Sequence, residues 1–262
     1  MKTVLRLLLW AAIVLAGIYF LLPLLSTAEF SLSIRRDGYS LDAYRSVFSD
    51  PEFFATLGYS AVIAICTIIF GVVLVVPMAY FVHLRLPWLK PLVELVVMLP
   101  LVVPPIVLVF GYLKLFSSSS VLPLTSTEMG SNVLLICGYI TLSLPYLYRA
   151  VDSGLQGIDA RTLTDAATIL GASPLTVIRL VILPNILVSV LSGAFLTFAV
   201  VISEFVMASL LTRPAFGTYI QKIGVAQAYE PAALVILSFA ITWCAMGMIQ
   251  LMARLAPQRH ER

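Results

Sequence analysis

Six long apolar runs set the possibilities for this chain: residues 7–26, 58–82, 92–113, 132–149, 186–211 and 232–253. About 20 residues of helix, rising 1.5 Å per residue, cross a hydrocarbon core of about 30 Å. None of the runs alternates polar and apolar residues with period two, as a membrane β-strand would. Within lipid, such a run satisfies its backbone donors and acceptors only as a helix. The expected fold is therefore all-α: a polytopic membrane protein whose six transmembrane helices form one domain over residues 1–262. Composition excludes a water-soluble alternative, because 61% of residues are hydrophobic and only 11% are charged, against about 25% charged in soluble domains.

The first run, Leu7 to Ser26, has a basic start at Lys2 and Arg6 and a small-residue exit at Ser26, Thr27 and Ala28. A signal peptide shares those features, but its apolar core is usually about 7–15 residues, so this run reads as an uncleaved anchor. An even number of spans puts both ends on one side. With the termini inside, Arg35, Arg36, Arg45, Lys114, Arg213 and Lys222 lie outside and the other ten of the 16 Lys and Arg lie inside. The short basic turn with His83, Arg85 and Lys90 is among the inner segments, so the positive-inside rule places both termini in the cytoplasm.

Several function classes drop out. A net charge of +3 with no basic cluster does not suit a nucleic-acid binder. Cys66, Cys137 and Cys244 lie in apolar runs without metal-ligand spacing and read as packing residues. His83 and His260 have no partners at metal spacing, so no metal, cofactor or catalytic residue is assigned. The phosphate-binding pattern GxxxxGKS/T is absent, so any ATP-driven role needs a second protein.

The segment 152–183 is too polar at its start to be a span and too patterned to be a passive connection. Asp159 or Thr162 can cap a helix, and Thr162 with Asp165 has the form of a capping box. Gly171 suits a left-handed turn at the helix end, and Ser173-Pro174 offers the next helix an N-cap and an N1 proline. The second helix carries Leu175, Ile178 and Ile182 as a stripe to be buried and is expected to end near Leu183, before Pro184. The pair Ala166-Ala167 makes a small-residue surface that another protein can approach closely.

Asp165-Ala166-Ala167, three residues, Gly171, nine residues, then Val181-Ile182-Leu183-Pro184 resembles the EAA loop of permease subunits of binding-protein-dependent ABC importers. Leu144-Pro145-Tyr146, Arg149, Ile158-Asp159, Leu170-Gly171-Ala172-Ser173 and Ser203-Glu204-Phe205 also look like that family, and the resemblance runs from about Ala55 to Ala253. Asp165 departs from the family's glutamate, and Val181 from a common isoleucine. The resemblance implies that Ala160 to Ser173 docks on a cytoplasmic ATPase, with Asp165, Ala166, Ala167, Gly171, Ala172 and Pro184 as coupling residues. It implies as partners a cytoplasmic ATP-binding subunit dimer, a second permease subunit, identical or different, and an extracytoplasmic solute-binding protein. The location it implies is the bacterial inner membrane. The spermidine/putrescine branch is the most similar; phosphonate, sulfate and iron(III) permeases are the neighbouring alternatives.

A self-contained secondary carrier is the rival class, but it needs midplane acids in paired halves, and the sequence has neither. Two carboxylates do fall within apolar runs. Glu94 is three residues into its run and is expected to reach Lys90 or Arg85. Glu204 is expected near the outer end of the fifth span, bordering the translocation path, and Pro104 and Pro105 break the third span where the same path could pass. Tyr146, Tyr148 and Trp10 read as interfacial anchors or packing residues.

The topology is tested with single cysteines, Ser40→Cys and Ser173→Cys, in a background lacking the three native ones. An impermeant thiol reagent added to intact cells should label position 40 and spare position 173. Labelling at 173 would contradict a cytoplasmic loop.

Overall fold

The computed structural model describes residues 2–33 and 38–255; Arg35, Arg36, Arg259, His260 and Arg262, counted above, lie outside the described residues. The elements are helices throughout. In order they are α1 (Lys2–Leu32), α2 (Asp42–Ser49), α3 (Pro51–Leu84), a 3₁₀ turn (Pro87–Leu89), α4 (Lys90–Val102), α5 (Pro105–Leu115), a second 3₁₀ turn (Leu124–Ser126), α6 (Glu128–Gln156), α7 (Ala160–Ile169), α8 (Pro174–Val177), a π-helical stretch (Ile178–Ile182), α9 (Leu183–Asn185), α10 (Leu187–Ser203), α11 (Val206–Leu210), α12 (Phe216–Ala226) and α13 (Glu230–Leu255). Four of them are long and apolar enough to cross a membrane, and up to six crossings result if each of two sharply bent helix pairs counts as one span.

The bends follow from backbone chemistry. Pro104 has no N–H and adopts an extended conformation (φ −61°, ψ 145°), Pro105 opens α5, and α4 and α5 meet at 96°. The run 92–113 is thus two helices. The second bend, 82°, separates Pro174–Asn185 from Leu187–Ser203. Here the helical path does not stop before Pro184 as the sequence suggested. The π-helical turn at 178–182 widens the coil, and Leu183 to Asn185 remain helical before Ile186 breaks the run.

The chain divides into two compact units, Met1–Ala55 with Tyr219–Ile241 and Thr56–Thr218 with Thr242–Arg262. In the first, α1 presents exposed apolar side chains such as Leu15, Tyr19 and Phe20, as a lipid-facing helix does. Its C-terminal end is tied by a 2.8 Å hydrogen bond shared by Ser31 and Tyr44 and by Phe30 stacked on Tyr229. The Tyr219 hydroxyl donates to Asp50 Oδ2 at 2.8 Å, and Lys222 Nζ pairs with Glu52 at 2.6 Å.

The second unit is built on the pairing of α6 with α10. Small residues let the two backbones approach: a Cβ at Gly154 would lie 2.7 Å from the Ser189 Cβ, and one at Gly193 would lie 2.8 Å from Leu147 Cδ1. Two apolar cores flank this seam. One joins Val75, Val76, Ala79 and Tyr80 of α3 to Leu147, Val151 and Leu155 of α6; the other joins Ile63 and Ala64 to Leu135, Tyr139, Val201 and Met207. Tyr148 packs into the first core, whereas Trp10, Cys137 and Cys244 are exposed rather than packed within the chain.

Gly193→Val should destabilise the bundle by about 1–3 kcal/mol, the usual cost of overpacking. Gly58→Ala, whose added methyl meets nothing within 4 Å, serves as the control. Thermal unfolding midpoints of the purified proteins should drop for the first and hold or rise for the second; equal midpoints would contradict the close α6–α10 approach.

Candidate functional site

Between α6 and α10 the chain folds into a compact two-helix element, and its local chemistry explains each boundary. Asp159, not Thr162, is the N-cap of α7: its Oδ1 accepts the Thr162 N–H at 3.1 Å. Asp165 therefore sits exposed in the middle of α7, and the expected Thr162–Asp165 box does not form the helix start. The helix ends in a Schellman turn. Gly171 has φ +83°, its N–H reaches the Thr168 carbonyl at 2.9 Å, and the Ala172 N–H reaches the Ala167 carbonyl at 3.0 Å. Ser173 then caps α8 by accepting the Thr176 N–H at 3.3 Å, with Pro174 at the first helical position.

This element has two faces. Ala160, Val177, Ile178 and Ile182 are buried against α3, α4 and α6, and Ala167 and Ala172 are partly buried on the same cluster. Beneath them the Tyr80 hydroxyl of α3, 1% exposed as a residue, donates to Thr164 Oγ1 at 3.3 Å. The other face is apolar and open: Ile169 is 85% exposed, Leu170 87%, Leu175 71% and Leu180 66%. Leu175 thus lies outside the buried stripe to which the sequence assigned it. The inward positions are Val177, Ile178 and Ile182. Ala166 and Pro184 are exposed as well.

Glu204 plays a part different from that of an acid inside a continuous span. Helix α10 stops at Ser203, and Glu204 is extended (φ −75°, ψ 131°). Its carboxylate accepts the Met207 N–H at 2.9 and 3.1 Å and the Ala208 N–H at 3.5 Å, so it takes up the orphan donors at the start of α11. The Tyr139 hydroxyl donates to Oε2 at 3.1 Å. Helix α11 packs on α5, the helix opened by Pro105, so the breaks at Pro104-Pro105 and at Glu204 belong to neighbouring helices.

Residues 75–258, well over half of the chain, match the family described as binding-protein-dependent transport system inner membrane component. The chain belongs to this family. The permease is 34% identical over 127 residues to the spermidine/putrescine transport system permease protein PotC of Escherichia coli K12, which is 48% of this chain and 45% of that protein. It is 26% identical over 185 residues to the putrescine transport system permease protein PotI of the same organism, 69% of this chain and 64% of that one. The PotC match thus spans a little under half the length of that relative. Among solved structures, a bacterial ABC transporter that imports the acidic polysaccharide alginate has a chain with TM-score 0.73 and 16% identity, covering 96% of both chains. The MetNI methionine ABC transporter gives 0.61 and 17%, covering 80% of this chain and all of that one. The fold is that of an ABC transporter permease, a multi-pass inner-membrane component.

The permease also carries a charged cluster where α3, α4 and α6 approach the two-helix element. Lys90 Nζ lies 3.1 and 3.2 Å from the Asp152 carboxylate oxygens and 3.9 Å from Glu94, and His83 Nδ1 is 3.9 Å from Asp152. Gln156 Nε2 adds a 2.6 Å bond to Asp152. Sequence reasoning paired Glu94 with Lys90 but missed Asp152. Only the helix spacing of Asp152 and Gln156, four apart at the end of an apolar run, hinted at it.

The Thr162 amide bond holds the exposed Asp159 carboxyl below its ordinary pKa. A depressed carboxylate pKa gives stability that is fully present above the unfolded-state value of about 3.9 and is lost as pH falls through the folded value. The protection of the Thr162 amide, taken relative to its intrinsic exchange rate at the same pH, should fall on acidification through that window and at neutral pH in Asp159→Ala, while Asp159→Asn keeps protection. Equal protection in all three proteins at neutral pH would contradict the cap.

Proposed function

We propose that the permease is one membrane-spanning half of an ABC importer that moves a small polyamine-type solute by alternating access. In this reading six spans cross the inner membrane with both termini in the cytoplasm, and segment 152–183 is the cytoplasmic coupling loop. Two permease subunits, identical or different, enclose the path. An extracytoplasmic binding protein delivers solute, and a cytoplasmic ATPase dimer drives the cycle, with no chemical transformation in this chain. The polyamine assignment draws on the relatives named for spermidine and putrescine.

The observation that carries the reading is the two-faced loop. Its inner face is fixed by buried contacts to α3, α4 and α6, while its outer face leaves Ile169, Leu170, Leu175 and Leu180 open beside the left-handed turn at Gly171. An apolar surface of this kind marks a protein contact, and the inner contacts are the route by which a push on it would reach the spans. Asp165, Ala166, Ala167, Gly171, Ala172 and Pro184 are the proposed coupling residues. Glu204, Pro104 and Pro105 are proposed to border the path, because breaks in helices are tolerated where protein or a watery cavity covers the freed backbone groups.

Gly171→Val places a β-branched residue at positive φ, a strain of about 1–3 kcal/mol. No atom lies within 4 Å of the added Cβ, so the effect acts on the backbone turn alone. Membrane insertion should be retained, while solute uptake, ATPase stimulation and pull-down of the ATPase by reconstituted complexes should fall together. Normal values in all three would end the claim that this loop is the coupling element.

A further inference from the structure

A cleft of about 490 Å³ opens between α4 and α6, walled by Lys90, Glu94, Tyr148, Arg149, Asp152 and Gln156. Through Met98 and Arg149 it adjoins an apolar groove of about 470 Å³ that runs past Leu101, Pro145 and Leu196. Tyr148 is only 3% exposed, yet its hydroxyl has no hydrogen-bond partner among the described residues. Buried hydroxyls are ordinarily satisfied, so one left open on the wall of a cleft points to a group that binds there. The acceptors around it are already arranged for an ammonium. The Lys90 ammonium, on its four-carbon stem, meets Asp152 at 3.1 Å and Glu94 at 3.9 Å.

The charge balance selects the class of ligand. Beside Tyr148 an anion would compete with Asp152, whose side chain is 13% exposed, for Lys90, and its one unpaired cation would be Arg149, out at the exposed junction with the groove. A primary amine instead replaces Lys90 charge for charge. Its three N–H donors match the three acceptors on offer: the Glu94 carboxylate, the Asp152 carboxylate and the Tyr148 oxygen. Arg149, the other cation of the wall, is exposed at the junction with the groove and makes no ion pair among the described residues, so it is free to turn aside as a cation enters.

We propose that this cleft is a subsite for a primary alkylammonium, such as one end of a linear diamine, and that the Lys90 side chain is a tethered stand-in which the solute displaces. The proposal rests on the polyamine reading above and deepens it by naming the residues that hold the solute.

The test is equilibrium binding of radiolabelled putrescine to the full chain in phosphatidylcholine nanodiscs, run beside uptake by the reconstituted complex. Lys90→Met should bind putrescine about tenfold more tightly than the natural chain, because the internal competitor is gone. Glu94→Gln and Tyr148→Phe, in that background, should each weaken binding several-fold. Tyr148→Phe should melt no lower than its parent, since the hydroxyl it removes makes no bond in the fold. If Lys90→Met does not fold, Glu94→Gln and Tyr148→Phe in the natural background give the same comparison.

Putrescine binding that is undetectable, or unchanged by Glu94→Gln and Tyr148→Phe, overturns the subsite even where uptake by the complex is normal, and the importer reading then survives alone. Binding that responds as expected in the isolated chain, with no uptake by the complex, supports the subsite and counts against the polyamine-importer reading. Displacement of Lys90 by phosphatidylglycerol but not by putrescine, seen as protection of Lys90 from or exposure to amine labelling, assigns the cleft to a lipid headgroup and overturns the proposal.

Discussion

Backbone hydrogen bonds in an apolar setting have to be satisfied within the protein, and each departure of this chain from regular helix shows how that is done. At the first break Pro104 has no donor to satisfy, and its carbonyl accepts the Val107 N–H at 3.0 Å. At the second, Glu204 supplies its carboxylate to the amides of Met207 and Ala208. At the turn of the two-helix element, Gly171 takes up a left-handed conformation that closes the carbonyls of Ala167 and Thr168. The 96° bend is therefore built on the closed turn at Pro104, while at the 82° bend the Ile186 N–H still reaches the Ile182 carbonyl at 3.1 Å. Each cap fixes where the next helix starts, and so fixes which side chains reach the cores.

The same logic gives the two-helix element its mechanical character. A loop held only by its ends would absorb a push by flexing. Here Ala160, Val177, Ile178 and Ile182 belong to one buried cluster with α3, α4 and α6, and Tyr80 adds a buried hydrogen bond to Thr164. Close-packed interiors transmit displacement because they have little free volume to take it up. In the proposed importer, a load on Ile169, Leu170 or Leu175 would thus reach α6, and through the Gly154 and Gly193 contacts it would reach α10.

Much of this is legible in the sequence because it depends on local chemistry. The apolar runs announce helices, Pro104-Pro105 announces a break, and Gly171 followed by Ser173-Pro174 announces a turn and a restart, each from residues adjacent in the chain. What the sequence hides depends on partners far away or on register. Asp152 lies 62 positions from Lys90, and no periodicity links them. Leu175 shares a helical stripe with Ile178 and Ile182, but it stands one residue into α8, and the core reaches only as far as Val177 and Ile178. Choosing between Asp159 and Thr162 as the cap required the structure, in which Asp159 Oδ1 accepts the Thr162 N–H and so places Thr162 inside the helix. The sequence singles out Glu204 as an acid near the outer end of a continuous fifth span; only the structure shows the span broken there and the carboxylate turned back onto the next helix.

The rigid seating of the two-helix element on α3 and α6 is tested most directly by spin-label distances in the assembled transporter. One label at Ile169, on the open face, and one at Val73, exposed on α3, report the distance within a permease; labels at Ile169 in two permeases report the distance between loops. ATP binding by the partner should change the loop-to-loop distance while leaving the Ile169-to-Val73 distance unaltered. A change in the internal distance as large as that between the loops would show that the element flexes on its own, and would contradict its role as a rigid link to the spans.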